Sequence, residues 1–347
     1  MNKLCCIILN AEWHEKYSNF VKAHKGSMIY HGIAYKNLLN DLLQVEDKYL
    51  IAIDQDENIQ AVLPLMYKKG KLGYVINSLP FYGSNGAIIS NSKEAFDFLI
   101  ESYNQLLKDK EIAASTIVSN PLLTEDNYDG ITSNIQDHRI GQFTEIEFQS
   151  DHENKLMESF HYKTRNMVRK SQKKDIEVVV DNSQVEFIHQ THIQNLKAIG
   201  GRAKNKEFFR LFPIHFKEGT DYKIYIAKEN GIPIAGLLLF YYNKTVEYYS
   251  PVIVEEHREK QPLSLLIFQA MKDASENGFE LWNWGGTWAS QDGVYRFKKR
   301  WGTKDVNYYY YTLINNEQIY SSTKEVLLSE YADVFVLPFQ NLLNQNE

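Results

Sequence analysis

One stretch near the C-terminal end of the chain combines glycines, aromatic residues and cations at spacings that could do chemistry. Residues 279–302 read FELWNWGGTWASQDGVYRFKKRWG, and the first of them alternate as in a β-strand. Gly285 and Gly286 stand where this strand is expected to end, and they allow positive φ or a close approach of backbone to a ligand. After a loop, aromatic residues interleave with the cations Arg296, Lys298, Lys299, Arg300 and Lys304. Such a segment either covers a core or binds an anion, and a solvated basic turn is the simpler alternative.

A strand ending in W-G-G, a loop and then G-V-Y-R-F-K-K-R-W-G resembles the C-terminal half of the FemABX family. Proteins of that family have tandem acyltransferase-like (GNAT-like) domains and transfer amino acids from aminoacyl-tRNA to cell-wall precursors, and they have relatives in polysaccharide gene clusters. The resemblance implies that Lys298, the lysine of the R-F-K element, polarises the acyl carbonyl. This role is physically sound, because acyl transfer places negative charge on the carbonyl oxygen and a fixed ammonium stabilises it. The residues expected to contact substrate around it are Trp284, Gly285, Gly286, Arg296 and Phe297.

Weaker candidates come from the spacing of the family's site residues. Tyr249 ends a predicted strand, and its spacing from Lys298 along the sequence is about that at which related enzymes place a substrate-contacting tyrosine. We assign it to the catalytic group. Arg202, in a Gly-Gly-Arg-Ala-Lys turn, and Lys36 are candidate contacts to a diphosphate-bearing acceptor. Each of these could equally be a surface residue. For a general base the sequence offers Asp292, with His257 and Glu247 as alternatives, although orientation of an attacking amine supplies much of the acceleration by itself.

Two segments are candidates for binding the phosphates of a donor. Segment 159–174 reads SFHYKTRNMVRKSQKK, a basic helix that resembles the one opening the second domain of FemABX relatives, and it carries Arg165, Arg169 and Lys173. A solvated basic helix is the alternative. Arg258 lies where GNAT enzymes have the R-x-x-G-x-G/A loop that binds the pyrophosphate of acetyl-CoA. The chain has HREKQPLS there, without either glycine, which favours aminoacyl-tRNA over a thioester donor.

The elements that must position these residues occur twice. Strands at 49–54, 59–67 and 72–78, a helix at 94–108 and a strand at 112–119 are followed later by a second set in the same order. The second set is 222–227, 232–242, 246–250, a helix at 263–275 and a strand at 279–284. We therefore expect an α/β (α+β) protein with two tandem GNAT-like acyltransferase domains, each a mixed, mainly antiparallel sheet flanked by helices. The expected boundaries are 1–150, 151–330 and a C-terminal tail at 331–347.

Composition limits the class of protein. The 347 residues are 44% hydrophobic and 24% charged, which is typical of a globular protein with a sizeable core, and the net charge of −6 excludes bulk attraction to nucleic acid. Any contact with RNA must therefore use a local patch. No apolar run is long enough for a signal segment or a membrane span, so we expect a cytoplasmic protein. Cys5 and Cys6 match no zinc spacing, and we expect no metal site.

Three functions remain open at this point. The first is a FemAB-like transferase that forms an amide on an amine of a UDP-linked sugar or a cell-wall precursor, in peptidoglycan or surface-polysaccharide synthesis. The second is an acyl-CoA-dependent N-acyltransferase acting on an amino sugar. The third is a binding module that keeps the duplicated fold without chemistry, and Lys298 and the Gly-Gly pair count against it. An enzyme would hold no permanent cofactor and would use aminoacyl-tRNA or acyl-CoA as co-substrate, with tRNA a partner in the first case.

Overall fold

The computed structural model describes residues 4–81, 85–124, 126–288 and 291–343. They form a mixed α/β fold with largely antiparallel sheets flanked by helices, which confirms the predicted fold class. The strands are β1 (Cys5–Ile8), β2 (Glu46–Asp47), β3 (Leu50–Ile53), β4 (Ile59–Leu63), β5 (Met66–Gly70), β6 (Gly73–Asn77), β7 (Ile89–Ser90), β8 (Ile112–Val118), β9 (Ile135–Glu145), β10 (Glu177–Val180), β11 (Tyr222–Glu229), β12 (Ile232–Tyr242), β13 (Thr245–Ile253), β14 (Leu281–Thr287) and β15 (Lys304–Ile314). The helices are α1 (His14–Ala23), α2 (Ile33–Leu43), α3 (Lys93–Leu106), α4 (His152–Ser159), α5 (Tyr162–Gln172), α6 (Val185–Ala198), α7 (Lys206–His215), α8 (Pro262–Glu276), α9 (Asp292–Lys299), α10 (Gln318–Ser321) and α11 (Lys324–Glu330). Within the described ranges, no helix is both long and apolar enough to cross a membrane.

Contacts between residues divide the chain into two compact units. One unit is Met1–Arg139 together with Asn307–Glu347, and the other is Ile140–Val306. The last segment joins the first unit because β15 pairs antiparallel with β8, and the region expected as a tail buries Tyr331 and Leu337 against that core. The expected boundaries at 150 and 330 were drawn from a repeated order of strands and helices. Contacts between residues do not test such a repeat, so these boundaries stay a prediction.

The first unit contains a four-stranded antiparallel sheet, in the order β1-β3-β4-β7, and a ladder in which β2, β5, β6, β8 and β15 are successive neighbours. The single strand predicted over 59–67 is two strands, β4 and β5, in different sheets. Pro64 lies between them, and proline has no N–H to donate to a ladder. Helix α3 is capped at its N-terminus by Ser92, whose side chain accepts from the N–H of Ala95, and it packs on β3 and β4 through a buried apolar face.

The second unit has the strand order β10-β11-β12-β13-β14-β9, in which only β13 and β14 run parallel. Helix α8 packs along β11, β12 and β13 and is apolar on almost its whole buried length. The core of this unit contains the buried aromatic residues Phe160, Tyr225, Tyr241, Phe268, Trp282, Trp284 and Trp301. Their burial fixes the two strands and the helix that hold the stretch singled out in the sequence.

The structure differs from expectation within that stretch. Strand β14 continues through Gly285 and Gly286 and ends at Thr287 instead of before the glycines, and Gly286 pairs with Gly141 of β9 after a shift in register. The basic run after it is the helix α9, not a turn, because Asp292 and Arg296 pair at i,i+4 while Phe297 turns towards the core. Residues 289 and 290 of the expected loop lie outside the described residues.

Candidate active site

Lys298 lies on α9 with its side chain turned inward. Only 6% of the residue is exposed, and its Nζ donates to the carbonyl oxygens of Gly285 and Gly286 at 3.3 and 3.2 Å and to Thr287 Oγ1 at 2.9 Å. The neighbouring Phe297 packs edge-on against Trp284, with ring centroids 6.1 Å apart. The aromatic side of α9 thus anchors the helix, and the lysine reaches the end of β14 from it.

Burial makes the Lys298 ammonium easier to deprotonate. It lowers the pKa of Lys298 to about 8, from an ordinary value of 10.5. Among the residues that the structure describes, no carboxylate lies within 4.0 Å of its Nζ to offset the loss of hydration. The ammonium is stabilised by neutral oxygens alone, so it remains available to a group that develops negative charge.

The backbone at Gly285, next to the Lys298 ammonium, is held by an asparagine. Gly285 adopts φ of +72°, and no atom of the described residues other than its chain neighbours lies within 4 Å of where a Cβ would stand, so the backbone conformation calls for glycine. Its N–H donates to Asn283 Oδ1 at 2.8 Å, and Asn283 Nδ2 donates to Glu247 Oε2 at 2.7 Å. Glu247 and Asn283 are each 2% exposed. A buried carboxylate is therefore connected through one amide to the turn that accepts from Lys298.

Strands β13 and β14 separate at this point. Their parallel pairing covers Thr245↔Leu281, Val246↔Trp282 and Glu247↔Asn283, and in the described chain it goes no further although both strands continue. Beyond it, Gly286 and Thr287 pair with β9 only. A separation between parallel strands, with a buried carboxylate on one and an ammonium over the other, is a place where an extended acyl group can meet both.

Tyr249, assigned to the catalytic group, lies on β13 just past the point of separation. Its ring stacks on Phe208 at 5.4 Å and meets Phe240 edge-on at 4.9 Å, and the Nζ of Lys204 lies 4.8 Å from its centroid. Burial lowers the pKa of Lys204 to about 8. Tyr249 is thus fixed in an aromatic cluster with a cation on its face.

The remaining residues predicted from the sequence are placed at several sites. Trp284 is buried in the core and donates its indole N–H to Thr144 Oγ1 at 2.9 Å. Asp292 and Arg296 are exposed and pair with each other at 2.6 Å. Arg202 is exposed in the loop before α7. Lys36, in the first unit, is 8% exposed and pairs with Asp47 at 3.0 Å.

The cations expected to bind phosphate fall into two groups. Arg165 donates to the carbonyl oxygen of Phe160 at the end of α4, so it stabilises a helix end. Arg169 on α5 and Lys173, directly after its last residue, are exposed and form no ion pair within the described ranges. Arg258 pairs with Glu255 at 2.5 Å. Its neighbours are also held by carboxylates, since His257 and Lys260 both contact Glu229. Free positive charge is therefore found on α5 and not in the loop before α8.

Sequence reasoning placed Lys298 beside the two glycines, and it missed Thr287, Asn283 and Gln142. Thr287 follows the Gly-Gly pair directly, and Asn283 stands two residues before it, so both were within reach of a strand extended through the glycines. Gln142 is 145 residues away from Thr287, with which it forms a hydrogen bond. No local pattern in a single sequence predicts that contact.

Comparisons with known proteins bear on this geometry. Residues 158–299 match the family model described as an acetyltransferase (GNAT) domain. Comparison with curated proteins gave no match. The crystal structure of FemX superposes with a TM-score of 0.70 at 16% identity, covering 91% of this chain and 99% of that one. The C-terminal domain assigned to a lysylphosphatidylglycerol synthetase from Agrobacterium fabrum gives 0.57 at 14%, covering 95% and 100%. L-PGS from Bacillus licheniformis gives 0.54 at 12%, covering 92% and 96%.

The match to the acetyltransferase (GNAT) domain model covers residues 158–299, which is less than half of the chain. The fold over most of the chain is that of FemX, which confirms the resemblance to the FemABX proteins expected from the sequence. These similarities support a GNAT-like acyl or aminoacyl transferase. At these identities they establish the fold, and the donor and acceptor must be argued from the site.

Proposed function

We propose that the protein is a FemAB-like acyl or aminoacyl transferase that forms an amide on an amine of a UDP-linked sugar or a cell-envelope precursor. The observation that carries the proposal is the ammonium of Lys298. It is buried, has no carboxylate partner in the described chain, and is held at the end of β14 where β13 and β14 separate. This is the arrangement that acyl transfer requires of an oxyanion-stabilising group.

The chemistry follows from the positions of the side chains. The acceptor amine attacks the acyl carbonyl carbon, and Lys298 stabilises the negative charge that develops on the carbonyl oxygen. Of the three candidate bases, Glu247 is connected to the Lys298 turn through Asn283, whereas Asp292 pairs with Arg296 at the surface and His257 with Glu229. We therefore favour Glu247, in place of Asp292, as the group that takes the proton from the amine.

The distribution of free cations favours aminoacyl-tRNA as the donor. A pyrophosphate bound before α8 would compete with the carboxylates that already hold Arg258 and Lys260. On α5, Arg169 and Lys173 are exposed and have no such competitor within the described residues. In an acidic protein this helix is the surface that attracts the phosphates of RNA.

An acyl-CoA donor is the second candidate, because the matching family model is that of an acetyltransferase domain. The acceptor is proposed from the family resemblance, with Arg202 as a diphosphate contact, whereas Lys36 in the first unit already pairs with Asp47. The names of FemX and of the lysylphosphatidylglycerol synthetase agree with a cell-envelope acceptor. A nucleotide-linked acceptor also supports a cytoplasmic location.

Product analysis tests the proposal. The purified protein is incubated with charged tRNA or with acetyl-CoA, in each case with UDP-linked amino sugars and cell-wall precursors, and product masses are read. We expect an added aminoacyl mass that depends on charged tRNA. An acetylated product with acetyl-CoA alone would establish the second candidate. Acceptor binding without any product would indicate a binding module and overturn both.

A further inference from the structure

Two buried residues continue the hydrogen bonds of Lys298 into the second unit. Thr287 and Gln142 are both 0% exposed. Thr287 Oγ1 accepts from Lys298 Nζ at 2.9 Å and donates to Gln142 Oε1 at 3.2 Å. Gln142 lies on β9, next to the strand that ends at Thr287. Lysine, hydroxyl and amide therefore form one line of hydrogen bonds.

The direction of these hydrogen bonds is set at the far end. Three acceptors surround Gln142 Nε2, namely the carbonyl oxygen of Tyr295 at 3.4 Å, Thr303 Oγ1 at 3.3 Å and Asp305 Oδ1 at 3.4 Å. The amide nitrogen must face them, so Oε1 faces Thr287 and takes the hydroxyl hydrogen. Thr287 consequently presents only lone pairs to Lys298. A reversed amide would turn that hydrogen towards the ammonium.

The three contacts of the ammonium are unequal. It has three hydrogens, and they meet Thr287 at 2.9 Å and the carbonyl oxygens of Gly285 and Gly286 at 3.3 and 3.2 Å. A substrate oxygen that accepts from Lys298 must replace one of them. The two longer contacts to glycine are the ones to yield, because their hydrogen bonds are the weaker. The contact to Thr287 keeps the nitrogen in place during the exchange.

We propose that Thr287 and Gln142 are positioning residues that hold Lys298 as a correctly placed ammonium, while one hydrogen of the ammonium turns from a glycine carbonyl oxygen to the acyl oxygen. The catalytic half of this inference rests on the proposed function. The structural half, that the pair favours the charged form of Lys298, concerns the free protein and stands without it.

Other charged groups nearby do not directly set the protonation of Lys298. Tyr295, Arg296 and Lys299 lie on the same helix, Asp305 lies beyond Gln142, and Glu247 lies beyond Asn283. In the described chain neither carboxylate is within 4.0 Å of Lys298 Nζ, and Asp305 is bound by Lys299 at 2.8 Å. The oxygen of Thr287 is thus the shortest stabilising contact that the ammonium has.

The test is the titration of Lys298 in two variants that should shift its pKa in opposite directions. In protein labelled with ¹³C-lysine, NMR follows the Cε resonance with pH, and Lys298→Met identifies the signal. Thr287→Val keeps the volume and removes the acceptor, so the pKa should fall by about one to two units, a ten- to hundredfold change in protonation. Gln142→Glu places a carboxylate behind the hydroxyl, and the pKa should rise by on the order of one unit.

Two references accompany these variants. Lys204, whose pKa burial also lowers to about 8, is an internal reference that should titrate unchanged in both. Thr312→Val is the matched control, because Thr312 is equally buried and bonds another hydroxyl, Thr116 Oγ1, at 2.8 Å in the first unit. It should leave the pKa of Lys298 where it is. If Thr287→Val does not fold, Gln142→Glu against Gln142→Leu decides the question.

An unchanged pKa of Lys298 in both variants, or a fall in both, would overturn the inference. Activity provides the catalytic readout: the upper limb of the kcat/KM–pH profile, which reports the free protein, should move with the measured pKa, down for Thr287→Val and up for Gln142→Glu. A loss of kcat without movement of that limb would reduce the pair to structural residues. Failure of the proposed function would instead leave every variant and the parent inactive, while the titration still answered the structural half.

Discussion

Lys298 carries a charge that its surroundings make costly. Burial brings its pKa down from 10.5 to about 8. Between these two values the unfolded chain binds more protons than the folded one at this residue, so its contribution to the free energy of unfolding rises with pH across that window. Below about pH 8 the buried charge is a net cost. A cost retained in the middle of a well-packed unit is typical of a functional group rather than a structural one.

The same pKa predicts how activity depends on pH. The ammonium is the form that stabilises an oxyanion, so kcat/KM, which reports the ionisation of the free protein, should be independent of this group well below pH 8 and should fall as pH rises through about 8. The measurement is the basic limb of the kcat/KM–pH profile. Lys299→Met should keep this limb unchanged, because Lys299 pairs with Asp305 at the surface. A flat profile up to pH 10 would mean that the neutral amine is the active form.

At the scale of elements, α5 and α9 show what a sequence pattern can and cannot decide. The basic segment 159–174 was expected as one helix, and α5 occupies its centre. The run 294–302 gave no helix prediction, because its cations hide the spacing of Phe297 and Trp301, which meet in the core with ring centroids 6.4 Å apart. The position of Lys298 was predictable from the family motif. Its partners Thr287 and Gln142 were not, because they depend on the pairing of β9 with β14.

The free cations of α5 make a prediction about the donor. Arg169→Glu and Lys173→Glu together should weaken binding of charged tRNA at least tenfold at low salt, and the dependence of log affinity on log salt should become shallower by about 0.7 to 0.9 for each lost phosphate contact. Electrophoretic or fluorescence titration over a range of salt concentrations measures both. Arg258→Glu is the control, since that guanidinium is already paired. Equal losses of affinity in the double variant and in Arg258→Glu would mean that RNA binds at another surface or does not bind.

At the scale of the whole molecule, the sequence predicted the fold class and a repeated order of elements. The compact units have other boundaries than the domains expected from that order. A duplication would show in a sequence as repeated strands and helices, whereas compactness depends on long-range pairing such as that of β15 with β8. That pairing returns the C-terminal segment to the first unit and cannot be inferred from local periodicity. Superposition of residues 1–150 on 151–330 remains the test of the duplication itself.

The aromatic core of the second unit should be its main source of stability. Trp301 is 0% exposed and packs against Phe160 and Trp284 at 5.0 and 5.7 Å between centroids. Trp301→Ala should lower the free energy of unfolding by about 3 to 5 kcal/mol, the usual cost of emptying a large buried site. Denaturant titration followed by tryptophan fluorescence measures it. Ile232→Ala, at a residue 66% exposed, should cost less than about 0.5 kcal/mol, and a similar loss in both would argue against a core centred on Trp301.

The comparison of three neighbouring cations tests most directly the claim that Lys298 performs the chemistry. Lys298→Met should lower kcat by about two to three orders of magnitude, the scale of losing one preorganised donor, and Lys298→Arg should restore only part of it, because a planar guanidinium does not fit the same point. Lys299→Met and Arg300→Met each remove one cation from the same run. They should have small effects on kcat, and thermal stability should be similar in all of these variants. Equal activity in the three methionine variants, or unfolding of the Lys298 variant alone, would contradict the assignment.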